Sequence, residues 1–102
     1  MIVYGIKTCD TCRKAVKELG AELRDIRADP LTDAERTRFF AAFGEALVNT
    51  RSTTWRGLDE MQRARDPDAL LAAHPTLMKR PVIDAAGTLY LGYGADTKAA
   101  LL

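Results

Sequence analysis

Val3-Tyr4-Gly5-Ile6-Lys7-Thr8-Cys9-Asp10-Thr11-Cys12-Arg13-Lys14-Ala15-Val16 joins two patterns without a gap between them. The apolar run at residues 2–6 reads as a strand. A helical pattern follows at once, with Cys12, Ala15, Val16 and Leu19 at i, i+3, i+4 and i+7 on one face. Arg13, Lys14, Lys17 and Glu18 occupy the other face. Cys9 therefore falls at the junction, where free backbone N–H groups and the positive end of the helix dipole favour a thiolate. Lys7, Arg13 and Lys14 add positive charge, and Asp10 opposes it in ordinary first-turn chemistry. Cys9 reads as a reactive cysteine. Cys12 faces the helix core, so it is either a small buried apolar residue or the second thiol of a redox pair.

The rest of the composition narrows the classes. A chain of 102 residues is one domain, 1–102, able to bury a core without staples. A net charge of +1 gives no bulk attraction to nucleic acid or an anionic membrane. The apolar runs are too short to span a bilayer, and Met1 leads straight into a strand, so a cytoplasmic protein is expected. Two cysteines spaced x-x point to redox chemistry rather than a disulfide scaffold. Zinc needs about four ligands, and His74 is the one imidazole that can join the cysteines, so no metal site is expected.

Outward from the opening stretch, Leu19-Gly20 stops the helix and residues 22–27 form a second strand, a parallel βαβ unit. Asp29-Pro30 closes it. Thr32-Asp33-Ala34-Glu35 is a capping box, and the helix it starts carries Phe39, Phe40 and Phe43, read as core, before Gly44. Residues 47–56 show no period over their polar half. Residues 58–65 form a short helix, and Asp66-Pro67 starts another that runs through Ala73 to His74-Pro75. His74 beside a helix-ending proline reads as incidental. Lys79-Arg80-Pro81-Val82-Ile83-Asp84, a turn at Ala86-Gly87 and Thr88-Leu89-Tyr90-Leu91 make a hairpin, and residues 96–102 a closing helix.

βαβ, three helices, then ββα, with Cys-x-x-Cys after the first strand, is a thioredoxin-like plan with helices inserted in its middle. Three blocks are more specific: residues 4–15, then Asn49-Thr50-Arg51-Ser52-Thr53-Thr54-Trp55-Arg56, and Lys79-Arg80-Pro81-Val82. Together they resemble the ArsC/Spx family, in particular its small YffB branch, across essentially the whole chain. The resemblance implies an α/β three-layer sandwich with a four-stranded mixed sheet and a helical insertion at about 32–75.

It also implies chemistry. In the glutaredoxin-coupled arsenate reductases of that family, the cysteine matching Cys9 attacks the oxyanion and arginines hold it. Arg80 matches one of these arginines and Arg51 is the counterpart of another. The position of a third falls near Tyr93, so arsenate reduction itself is not expected. The Spx regulators share the Cys-x-x-Cys and bind the C-terminal domain of the RNA polymerase α subunit, with the disulfide as a switch.

Independently of the name, a thiolate at Cys9 can attack a disulfide and Cys12, one turn on, can resolve the adduct. Arginines stay charged and bind carboxylates bidentately. For Arg51 and Arg80 the alternative is a solvated surface charge. By resemblance, Pro81 is a cis proline beside the active cysteine, and its exposed backbone pairs with glutathione, whose carboxylates meet Arg51 and Arg80. The resulting expectation is a glutathione- or glutaredoxin-linked thiol reductase with Cys9 as nucleophile and Cys12 as resolving thiol. Lys7, Arg13, Arg51, Arg80 and Pro81 are its substrate-binding residues, and no cofactor beyond glutathione as co-substrate is involved. The alternative is an Spx-like regulator of RNA polymerase.

Overall fold

The structure is a computed structural model that describes residues 1–102. The chain runs β1 (Ile2–Gly5), α1 (Asp10–Leu19), β2 (Glu22–Asp25), α2 (Asp33–Phe43), α3 (Thr53–Arg56), α4 (Glu60–Arg63), α5 (Pro67–Ala73), β3 (Val82–Ala85), β4 (Thr88–Leu91) and α6 (Ala95–Leu101). Short 3-10 turns occupy Gly44–Leu47 and Pro75–Leu77. Residue contacts gather into two units: Met1–Asp29 with Arg80–Leu102, and Pro30–Lys79.

In the first unit the strands form one mixed sheet in the order β2-β1-β3-β4. β1 is parallel to β2 and antiparallel to β3, which is antiparallel to β4. Val3 lies opposite Leu23 and Ile83, and Ile83 opposite Tyr90, so one sheet face is continuous across all four strands. Cys12, Ala15, Val16 and Leu19 of α1 and Leu101 of α6 pack on that face. Gly20 ends α1 in the left-handed region (φ 61°), its N–H donating to the Val16 carbonyl. This is the thioredoxin-like α/β plan: a βαβ unit, then a hairpin and a closing helix, with helices between the two.

The second unit is helical. Thr32 and Glu35 cap α2 reciprocally, with Thr32 Oγ1 accepting from the Glu35 N–H at 3.1 Å and Glu35 Oε1 from the Thr32 N–H at 2.9 Å. Phe39 is fully buried, whereas Phe40 and Phe43 are half-buried. Arg36 is buried too, which its residue type does not suggest. It donates to the Leu31 carbonyl and pairs with Asp33 and Asp68, so its charge is satisfied and α2 is tied to α5. Asp66 caps α5 ahead of Pro67.

The stretch without period holds one helical turn. Ser52 Oγ accepts the Trp55 N–H at 3.1 Å and starts α3, too short for a periodic signal. No helix is long and apolar enough to cross a membrane.

Candidate active site

The loop between β1 and α1 is built before its cysteines matter. The Ile26 N–H donates to the Gly5 carbonyl at 2.9 Å, carrying the parallel ladder one step beyond the strands. Asp25, which ends β2, accepts from the N–H groups of Lys7 (3.1 Å), Arg27 (2.9 Å) and Ala28 (3.2 Å). The Lys7 N–H is the largest influence that holds the Asp25 carboxyl below its ordinary range; burial opposes it, and the N–H groups of Arg27 and Ala28 add to the lowering. A carboxylate with a depressed folded pKa stabilises the fold above the unfolded value, about 3.9, and that contribution is lost as pH falls through the folded value. Asp25→Ala should therefore cost about 1 kcal/mol at pH 7, its charge-assisted bonds being discounted for exposure to water. The difference from wild type should shrink at pH 3. Urea titrations at the two pH values check this, and a pH-independent difference would contradict it.

Cys9 closes that loop. Its N–H donates to the Ile6 carbonyl and its carbonyl accepts the Arg13 N–H, both at 3.0 Å. It is the N-cap of α1, in extended backbone (φ −84°, ψ 118°), and its side chain caps nothing. The half-buried sulfur is thus left at the positive end of a ten-residue helix. A serine, threonine or aspartate would hold the helix start better. A cysteine there leaves its thiol uncommitted to the helix N–H groups.

Cys12 is fully buried on the sheet face, packed among Val3, Ala15, Ile83 and Tyr93, with Cys9 against the same cluster. Burial pushes its thiol up to about 12. A hydrogen bond with Cys9 and the Cys9 charge push the same way, while the Ile6 N–H and the Arg80 charge pull it down. Room for this sulfur depends on Gly5, where a Cβ would lie 2.3 Å from Cys12 Sγ and 3.0 Å from Cys12 Cβ. Nothing in the sequence pattern marks Gly5, since the helix that needs its bareness crosses from outside the strand.

The other sequence-predicted residues divide. Arg80 is half-buried and close enough to act on Cys12 through its charge. Pro81 is fully buried, the Arg80–Pro81 peptide bond is cis as expected, and the Pro81 carbonyl accepts the Gly92 N–H at 2.7 Å. Lys7 and Arg13 are exposed, Lys7 on the loop before Cys9 and Arg13 in the first turn of α1, 3.9 Å from Asp10. Arg51 belongs to the helical unit and is exposed.

Tyr93 is no ligand-facing phenol. It is 7% exposed, packs beside Cys12 and donates to Glu18 Oε1 at 2.7 Å, with the Lys98 ammonium 5.2 Å from its ring centre. Burial, then the Glu18 carboxylate, push its hydroxyl up to about 12. His74 is half-buried and closes α5. No group of three or more His, Cys, Asp or Glu side chains is placed to hold a metal ion.

Comparison with known proteins identifies relatives over nearly the whole chain. An uncharacterised protein of Haemophilus influenzae is 44% identical, with 89% of each chain covered. Among solved structures, a YffB protein superimposes with a TM-score of 0.85 at 34% identity, over 99% of this chain and 97% of that one. An arsenate reductase (ArsC) related protein from Brucella melitensis does so with a TM-score of 0.71 at 32% identity, over 97% and 91%. The sequence pattern of the ArsC family matches residues 4–101, from the β1 strand through the last helix. With that match over nearly the whole chain, this chain belongs to the ArsC family.

Proposed function

We propose that the protein is a thiol reductase that draws its electrons from glutathione or from a glutaredoxin. The observation that carries the reading is the contrast between its two cysteines. Cys9 stands half-exposed and uncapped at a helix start, and Cys12 is buried behind it on the same helix.

The Cys9 thiolate attacks one sulfur of a substrate disulfide. A Cys9–substrate bond forms, the substrate S–S bond breaks, and the departing thiolate takes a proton from water. Cys12 then loses its proton and attacks Cys9 Sγ, releasing the second substrate thiol and leaving a Cys9–Cys12 disulfide. Two glutathione thiols, or a glutaredoxin dithiol, return two electrons and two protons. Burial, the largest cause of the raised Cys12 pKa, persists through the cycle, but the smaller contributions of Cys9 belong to the reduced protein. Once Cys9 is in a mixed disulfide its charge and its hydrogen bond to Cys12 are gone, and Arg80 still pulls the thiol down. Cys12 is thus protected in the resting state and eased toward reaction once the first step is complete.

Cys12→Ser tests the scheme. Incubated with a small disulfide, it should accumulate a mixed disulfide on Cys9, seen as one added substrate half by mass spectrometry. Wild type should return instead to the free or internally bonded form. Absence of any adduct on either protein would refute the reading.

Arsenate should be a poor substrate. In the arsenate reductases that the sequence resembles, a third arginine stands near the place of Tyr93, whose hydroxyl is here committed to Glu18 and stays neutral. Losing one charge-assisted contact weakens binding of a charged ligand by roughly ten- to over a hundredfold. Steady-state arsenate turnover with glutathione and glutaredoxin at the rate of an established arsenate reductase would contradict this.

A further inference from the structure

The helical unit holds the chain's one tryptophan, Trp55, to which the chemistry at Cys9 gives no part. Trp55 sits in α3, and Arg63 of α4 folds back onto it. The Arg63 guanidinium carbon lies 5.6 Å from the ring centre, with Nε donating to the Trp55 carbonyl at 3.2 Å and Nη2 to the Arg56 carbonyl at 3.3 Å. One arginine thus bonds the last carbonyls of α3 and stacks on its ring, which ties α4 to α3 and holds Trp55 in place.

Beside this ring lies a cavity of about 170 Å³ with apolar walls from Trp55, Val48, Pro67 and Leu70. An apolar cavity of about 150 Å³ is large enough to hold benzene. Leu70 is almost fully buried and Pro67 opens α5 behind the Asp66 cap, so this wall is as fixed as the one Arg63 braces. Glu45 and Arg65, both exposed, also line the cavity. Neither side chain makes a hydrogen bond or an ion pair, with the other or with any other residue. An anion and a cation therefore share one small apolar cavity without closing on each other.

We infer that this cavity binds a free apolar α-amino acid of the size of leucine or phenylalanine. Its side chain packs against Trp55, Val48 and Leu70, its carboxylate meets Arg65 and its ammonium meets Glu45. Each simpler guest leaves something unmatched. A hydrocarbon uses the walls alone, an organic anion faces Glu45, and an organic cation faces Arg63 and Arg65. A molecule that carries both charges beside an apolar group matches walls and charges together. The inference goes beyond the thiol-reductase reading and uses none of its residues.

Because Trp55 is the only tryptophan, its fluorescence reads the cavity directly. Titration of the intact protein with L-phenylalanine should change the emission saturably, and calorimetry should give the same affinity. L-Alanine, which leaves the apolar walls uncovered, should bind at least about tenfold more weakly. N-acetyl-L-phenylalanine and L-phenylalaninamide each lack one charge, and each should bind about fivefold more weakly or worse. Glu45→Gln should erase the preference over the acetylated form, and Arg65→Gln the preference over the amide. Both residues are exposed and unpaired, so neither change endangers the fold. No saturable binding, or L-alanine binding as well as L-phenylalanine, would overturn the site. So would discrimination that survives in both variants. A blocked form that binds as tightly as the free amino acid would also overturn it, in favour of the terminal residue of a peptide.

Discussion

Replacement of Cys9 by serine is expected to remove disulfide turnover, by at least about 10⁴-fold, and to raise the melting temperature in the same protein. The first effect follows from the scheme, since no other thiol is both accessible and placed at the helix start, and loss of a nucleophile has costs of that order in covalent catalysts. The second follows from the same geometry. Cys9 is the N-cap of α1 yet its side chain accepts no helix N–H. Serine is among the best residues at that position and stabilises by about 1 kcal/mol, which is about 4–8 °C for a domain near this size. Activity assays and thermal unfolding of the one variant read both. A Cys9→Ser protein that is inactive but less stable would mean that the sulfur packs for structure, and the argument for a thiol kept free for chemistry would fail.

Gly5→Ala should be the most costly small substitution in the sheet. The added methyl would overlap Cys12 Sγ at 2.3 Å and crowd Cys12 Cβ at 3.0 Å. β1 cannot retreat, because β2 and β3 hold it on both sides, and the Cys12 side chain has no open space to turn into. Such overpacking costs about 1–3 kcal/mol. Cys12→Ala removes the sulfur and should recover part of the loss, so the double variant is expected to be less destabilised than the sum of the singles. The Cβ contact remains, and the recovery is partial. Denaturant unfolding of the four proteins gives the coupling, which for residues in contact runs to about 0.5–3 kcal/mol. Strict additivity would show that the strand and helix are not wedged together at this point.

Much of the fold follows from local patterns. The 3.6-residue spacing of Cys12, Ala15, Val16 and Leu19, the Thr32–Glu35 box, Asp66-Pro67 and the Ala86-Gly87 turn each name their element because the signal lies within a few residues. What escaped the sequence depends on long-range partners. Glu18 finds Tyr93 at a separation of 75 residues, and Lys7 finds Asp25 at 18. Arg36 looks like a surface charge until Asp68 arrives from another helix. The positions of Cys9 and Cys12 were legible because the strand-to-helix junction and the helical spacing are local signals.

The division of labour between the cysteines is tested most directly by limited alkylation. The native, reduced protein would be treated with a small excess of iodoacetamide at pH 7 and each cysteine followed by mass spectrometry. Cys9 should be carbamidomethylated well before Cys12, which is buried with its thiol pushed up to about 12. Cys12 should react only once the protein is unfolded. Modification of Cys12 first, or of both at equal rates in the folded protein, would contradict the assignment of Cys9 as nucleophile.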